Sequence, residues 1–147
     1  MKIQRIDHIG VVVDDLAAAK SFFLDFGFTV QGEAEEQSEL LDKVVGLKGA
    51  QSHIVFLQAP NNQITLELTK FLYPADEPAA KETFMYSRGI KHIAFIVENI
   101  ENMVAAVKQK GWEVFVDVYT YENIYKLCYF RGPEGIVIEL AEQLHSE

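Results

Sequence analysis

"IDHIGVVVDDL", from Ile6 to Leu16, and "IKHIAFIVENI", from Ile90 to Ile100, are the same phrase written twice. Aligning His8 with His92 sets an offset of 84 residues, and the match continues without a gap. Ile6 meets Ile90, Ile9 meets Ile93, Val13 meets Val97, Leu16 meets Ile100 and Gly27 meets Gly111. The aromatic after each glycine recurs as Phe28 and Trp112. Both copies read strand, helix, strand. "HIGVVV" is a β-branched strand, and Asp14 or Asp15 caps the helix behind it. Leu16, Ala19, Phe23 and Phe26 then share one helical face, and Gly27 supplies the residue after the C-cap. The second copy uses Asn99 as cap, a stripe of Ile100, Met103, Val104 and Val107, and Gly111 as stop. Both stripes read as core.

Each half continues into a hairpin. "SHIVFLQA" turns at Pro60-Asn61-Asn62 into "ITLELT", and "IYKLCYF" turns through Gly132-Pro133-Glu134-Gly135 into "IVIEL". These closing strands align Glu67 with Glu139 at an offset of 72, so the first half holds about a dozen extra residues. They fall in "QGEAEEQSELLDKVVGLKG", expected as an acidic surface loop with a short helix around Ser38 to Val45. The stretch "KFLYPADEPAAKETFMYSRG" carries two prolines and mixed polarity and reads as a crossover. The expected fold is α+β: two tandem βαβββ modules forming a curved mixed sheet around a cleft. Module one spans about residues 1–70, the linker about 71–88 and module two about 89–147, together one domain.

Composition removes several alternatives. At 147 residues, 49% hydrophobic and 12% aromatic, the chain can bury a core. No apolar run approaches the ~18 residues needed to span a bilayer. The start, "MKIQRIDH", lacks the apolar segment of a secretory signal. A single cysteine, Cys128, forbids an internal disulfide and fits a cytoplasmic protein; it reads as a small core residue. The net charge of −9 argues against nucleic acid, whose phosphates need clustered Lys and Arg.

Strand alternation isolates four polar residues. His8 shares a face with Gly10 and Val12, against Ile9, Val11 and Val13; His92 shares one with Ala94 and Ile96. Glu67 opposes Leu66 and Leu68, as Glu139 opposes Ile138 and Leu140. Each module therefore buries one face against its helix and projects one imidazole and one carboxylate from the other. Two carboxylates crowded on concave faces without a counter-charge cost on the order of several kcal/mol. One divalent cation supplies that charge. Two nitrogens and two carboxylates suit Zn, Ni, Co, Mn or Fe(II), and leave two octahedral positions for water or substrate oxygens.

At these residues the chain resembles the vicinal oxygen chelate superfamily: glyoxalase I, methylmalonyl-CoA epimerase, extradiol dioxygenases, and the fosfomycin and bleomycin resistance proteins. The resemblance covers both modules and is closest in ligand pattern to glyoxalase I. It implies metal ligands at His8, Glu67, His92 and Glu139. It also implies a lyase or isomerase that moves a proton beside a metal-bound carbonyl through an enediolate. Glu139 would be the base, with Glu67 the symmetric alternative. The alternatives are epimerase-like racemisation, a non-catalytic small-molecule binding protein, and an Fe(II) dioxygenase. The epimerases carry an amide where Glu67 stands and a further glutamate that has no clean match here; "QSHIVFLQA" offers His53 instead.

Substrate signals are fewer. His53, Tyr125 and Arg131 are the candidate substrate-binding residues. Arg5, Arg88, Lys91 and Lys126 are further cations that could meet an anionic thiol cofactor. Tyr121, Tyr125 and Tyr129 recur every fourth position and would share a face on one strand. The expected partners are a small-molecule substrate and a second copy in a homodimer.

Overall fold

The computed structural model describes residues 1–76 and 84–144. Its first half runs β1 (His8–Val12), α1 (Leu16–Asp25), β2 (Thr29–Glu36), α2 (Glu39–Val45), β3 (Gln51–Gln58) and β4 (Thr65–Tyr73). The second runs β5 (His92–Ile96), α3 (Ile100–Gln109), β6 (Glu113–Tyr121), β7 (Tyr125–Arg131) and β8 (Val137–Gln143). They form two compact units, Met1–Ala79 and Ala80–Glu147. No helix among the described residues is long and apolar enough to cross a membrane.

The helix signals work as the sequence implies. Of the two aspartates before α1, Asp15 is the cap: its carboxylate accepts the Ala18 amide at 2.9 Å. Asn99 caps α3 from a left-handed conformation, φ 55°. Of the α1 stripe, Ala19 and Phe23 are buried and Leu16 and Phe26 half-buried, with Phe22 buried beside them; that of α3 buries Ile100, Val104 and Val107. Glu142 reaches from β8 to accept the Ile100 amide, giving α3 a second cap. Gly27 and Gly111 end the helices at φ 93° and 87°, where a Cβ would be strained.

Each unit holds one four-stranded mixed sheet, ordered β1-β4-β3-β2 in the first and β5-β8-β7-β6 in the second. The two mixed sheets bear out the expected pair of tandem βαβββ modules. In both, the first strand pairs parallel to the last, and the other pairings are antiparallel. The helix-facing side packs Leu57, Leu66 and Leu68 in one unit and Phe130, Ile138 and Leu140 in the other, at most 1% exposed. Each such side chain withdrawn from water contributes about 1.5–3 kcal/mol.

Three expectations shift. The acidic insertion is half strand: Gln31–Glu36 belong to β2, laddered on β3, because backbone groups there find ladder partners. Its short helix is α2, capped by Ser38 at 3.0 Å to the Leu41 amide. The crossover begins later than expected, since β4 continues through Phe71 and Tyr73 in register with Ser52 and Gln51. Residues 77–83 of that crossover lie outside the described residues. Finally, Tyr121, Tyr125 and Tyr129 do not share a strand. Glu122 and Asn123 take positive φ (49° and 57°) and turn the chain, so Tyr121 closes β6 opposite Tyr125 on β7. Two central residues with φ above zero make the turn that matches strand twist.

Candidate functional site

In the first unit, His8 and Glu67 lie on adjacent parallel strands, with Gly10 directly opposite Glu67. The imidazole two residues before the glycine leans across, and His8 Nε2 stands 3.5 Å from Glu67 Oε2. In the second unit Ala94 lies opposite Glu139, and His92 Nε2 stands 3.1 Å from Glu139 Oε2. The duplicated sequence therefore builds the same pair twice. Both pairs sit on the sheet face away from the helix, half open to solvent. Glu139 is the more enclosed carboxylate, at 15% side-chain exposure against 27% for Glu67.

These spacings bear on what the pairs can hold. An ion about 2.1 Å from each of two donors at 90–109° puts those donors about 3.0–3.4 Å apart. The separations of 3.1 and 3.5 Å are close to that edge, with ring nitrogen facing carboxylate oxygen. Each pair thus sets one nitrogen and one oxygen at a separation that a divalent ion would bridge. Among the described residues, no group of three or more His, Cys, Asp or Glu side chains is set to hold a metal ion.

The supports of the two pairs differ. His8 Nδ1 lies 2.9 Å from Asp7 Oδ2, and Arg5 holds the other Asp7 oxygen at 2.7 Å. Between Asp7 and Glu67 the imidazolium is favoured: the Asp7 hydrogen bond first, then the Glu67 charge, raise the His8 pKa. Asp7 is lowered by its bonds to His8 and Arg5. A carboxylate on one ring nitrogen fixes which nitrogen is left to coordinate. Lys91 stands where Asp7 does in the other copy, so the second unit lacks this support.

There the support comes from Tyr129, which pairs with Glu139 across the β7–β8 ladder. Its phenol donates to the Glu139 carboxylate, and its ring meets His92 edge-on, centroids 5.7 Å apart at 79°. Burial first, then that bond, push the phenol up to about 12. Beyond it Phe115 lies 6.1 Å from the Tyr129 ring, and the Arg131 guanidinium covers Phe115 at 5.2 Å. In the first unit the residue across from Glu67 is Phe56, which has no hydroxyl.

The other expected residues scatter. Arg131 shares the Tyr129 face of its strand. Tyr125 shares it too, but about 13 Å along at ~3.3 Å per residue. His53 is elsewhere: Phe56 is the neighbour of Glu67, and His53 shares the helix-facing side with Val55 and Leu57. There it meets Glu35 at 3.3 Å, beside a cavity of about 210 Å³ lined with Leu16, Glu33 and Val55. Arg5 is engaged by Asp7, and Lys126 by Glu101. Cys128 is fully buried, and burial pushes its thiol up to about 11, unsuited to a nucleophile. Asp7 escaped the sequence reading because Lys91 breaks the repeat there. Tyr129 was legible, since a hairpin centred on residue 134 sets 129 opposite 139.

Residues 5–140 match the family model described as the Glyoxalase/Bleomycin resistance protein/Dioxygenase superfamily. The uncharacterized protein YaeR of Escherichia coli strain K12 is 30% identical over 145 residues, covering 96% of this chain and 98% of that protein. A crystal structure of a glyoxalase family protein from Bacillus cereus shares 35% identity and a TM-score of 0.91, over 99% of this chain and 97% of the other. The fold alone is shared with the genomically encoded fosfomycin resistance protein FosX of Listeria monocytogenes, complexed with Mn(II) and sulfate. That likeness has a TM-score of 0.62 and 17% identity, over 96% of this chain and 93% of the other.

Proposed function

The chain belongs to the Glyoxalase/Bleomycin resistance protein/Dioxygenase superfamily, and from that premise we propose that it is a divalent-metal-dependent lyase or isomerase of the glyoxalase I type. The reading takes His8, Glu67, His92 and Glu139 as the protein ligands. The observation that carries it is the repeated pair, an imidazole Nε2 facing a carboxylate Oε2 at 3.5 and 3.1 Å on an open sheet face. A cation held there supplies Lewis acidity to a substrate carbonyl. The chain's own residues do the rest. Asp7 orients His8, Tyr129 orients Glu139, and a glutamate takes a proton from the carbon beside the carbonyl and returns it to that carbon or its neighbour. Phe115 and Arg131 offer an apolar and a cationic surface to the remainder of a small substrate. We place the protein in the cytoplasm as a homodimer; the lone, buried Cys128 fits that compartment.

The test is dialysis against Co(II), Ni(II) and Zn(II) followed by metal analysis. Deuterium incorporation from heavy water into the hemithioacetal of methylglyoxal is then followed by NMR. The expected result is stoichiometric metal and metal-dependent exchange. No metal uptake would overturn the reading in favour of a second one, a small-molecule binder without chemistry. That alternative is favoured by the His and Glu groupings stopping at pairs among the described residues.

A further inference from the structure

The two hairpins part company one step beyond their carboxylates. In the first unit Phe56 lies opposite Glu67, and two residues on stands Gln58, a neutral amide tied up locally. It accepts from the Gln31 amide at 3.1 Å and donates to the Ile64 carbonyl at 3.2 Å. In the second unit Tyr129 lies opposite Glu139, and the matching position two residues on is Arg131. Its guanidinium rests over the Phe115 ring at 5.2 Å, and Phe115 leans on Tyr129 with centroids 6.1 Å apart. Tyr129 in turn meets His92 edge-on at 5.7 Å. A row of π systems thus runs from imidazole to guanidinium along one sheet face, and every member belongs to the second unit. Lys126, the other cation of β7, alternates to the helix side, where Glu101 holds it. Stacking on a ring uses the face of a guanidinium and leaves its N–H edge for hydrogen bonds.

We infer that Arg131 is a specificity-determining residue and that the substrate is an acid with an apolar middle. Its anion meets Arg131, its middle lies along Phe115 and Tyr129, and its reacting carbonyl sits beside His92 and Glu139. This rests on the function proposed above. The strand sets the length of the middle: Arg131 is two residues beyond Tyr129, about 7 Å at ~3.3 Å per residue, roughly the span of one aromatic ring. Phe115, 37% exposed, gives that middle an apolar surface to lie on. A guanidinium edge binds carboxylate and phosphate alike through paired N–H bonds. The amide at the same place in the first copy carries no charge, so discrimination for an anion is built into the second unit alone.

The experiment titrates benzoate, benzamide and phenylphosphonate by calorimetry into the parent, Arg131→Gln and Phe115→Ala. The parent is expected to bind benzoate at least about tenfold tighter than benzamide. Arg131→Gln, which copies the residue of the first unit, should bring the two ligands to within about twofold, and Phe115→Ala should weaken both. Phenylphosphonate bound tighter than benzoate assigns the anion to a phosphate-type group, and the reverse order assigns it to a carboxylate. Benzoate should also inhibit deuterium exchange by the Co(II) protein competitively. Equal binding of benzoate and benzamide by the parent, a benzoate preference that survives in Arg131→Gln, or binding without competition overturns the inference and leaves the metal reading intact. A protein that takes up no Co(II) yet keeps an Arg131-dependent benzoate preference overturns the lyase reading while the preference for an acid stands.

Discussion

Gly10 stands directly opposite Glu67 in the β1–β4 ladder, and no atom lies within 4 Å of where its Cβ would be. Ala94 holds the same place opposite Glu139. A Cβ at this place meets neither the imidazole nor the carboxylate. Gly10→Ala should therefore change stability by less than about 0.5 kcal/mol and Co(II) affinity by less than about twofold. Gly10→Ile puts a branched side chain between the pair and should weaken Co(II) about tenfold or more while the far-ultraviolet spectrum is preserved. Equal affinity in both variants would show that the gap is not what sets the pair.

Asp7 is the only acidic residue bonded to a ring nitrogen opposite the one that faces Glu67 among the described residues. Asp7→Asn should reduce Co(II) affinity about 10–100-fold, the usual effect of losing a carboxylate behind a metal-binding imidazole. Lys91→Ala, at the matched position in the second copy, should leave it unchanged. Isothermal calorimetry on the two variants checks the asymmetry.

Cys128 gives a pH dependence with a fixed sign. Burial holds its folded thiol up to about 11, above the ~8.5–9 of an unfolded chain. Below about pH 8 both states keep the proton and its contribution to stability is complete. Between about 8 and about 11 the unfolded chain ionises first, so stability declines with rising pH. Urea midpoints measured from pH 8 to 11 should fall less steeply in Cys128→Ala than in the parent. Iodoacetamide at pH 8 should label the native protein far more slowly than the denatured one.

Ile138 and Glu139 are neighbours on one strand with opposite destinations. Ile138 is fully buried, and Ile138→Ala should cost about 2–5 kcal/mol in urea denaturation. Glu139→Gln, one residue on and facing away from the helix, should cost less than about 1 kcal/mol in the metal-free protein.

The sequence by itself determined the duplication, the two capped helices, the closing hairpins and which residues of β1, β4, β5 and β8 turn away from the core. These follow from spacing: a period near 3.6 for Leu16, Ala19, Phe23 and Phe26, a period of two for His8 against Ile9 or Glu67 against Leu66, and glycines where φ must be positive. Such signals are local, carried by residues within a turn or two of one another. Only the tertiary structure decided who faces whom. Register across separate strands brought His8 to Glu67 and His92 to Glu139, set Tyr129 but Phe56 beside the two carboxylates, and sent His53 to the helix side with Glu35. Register is fixed by hydrogen bonds and packing between segments far apart in the chain, and the repeat that made the fold legible concealed Asp7, where its two copies differ.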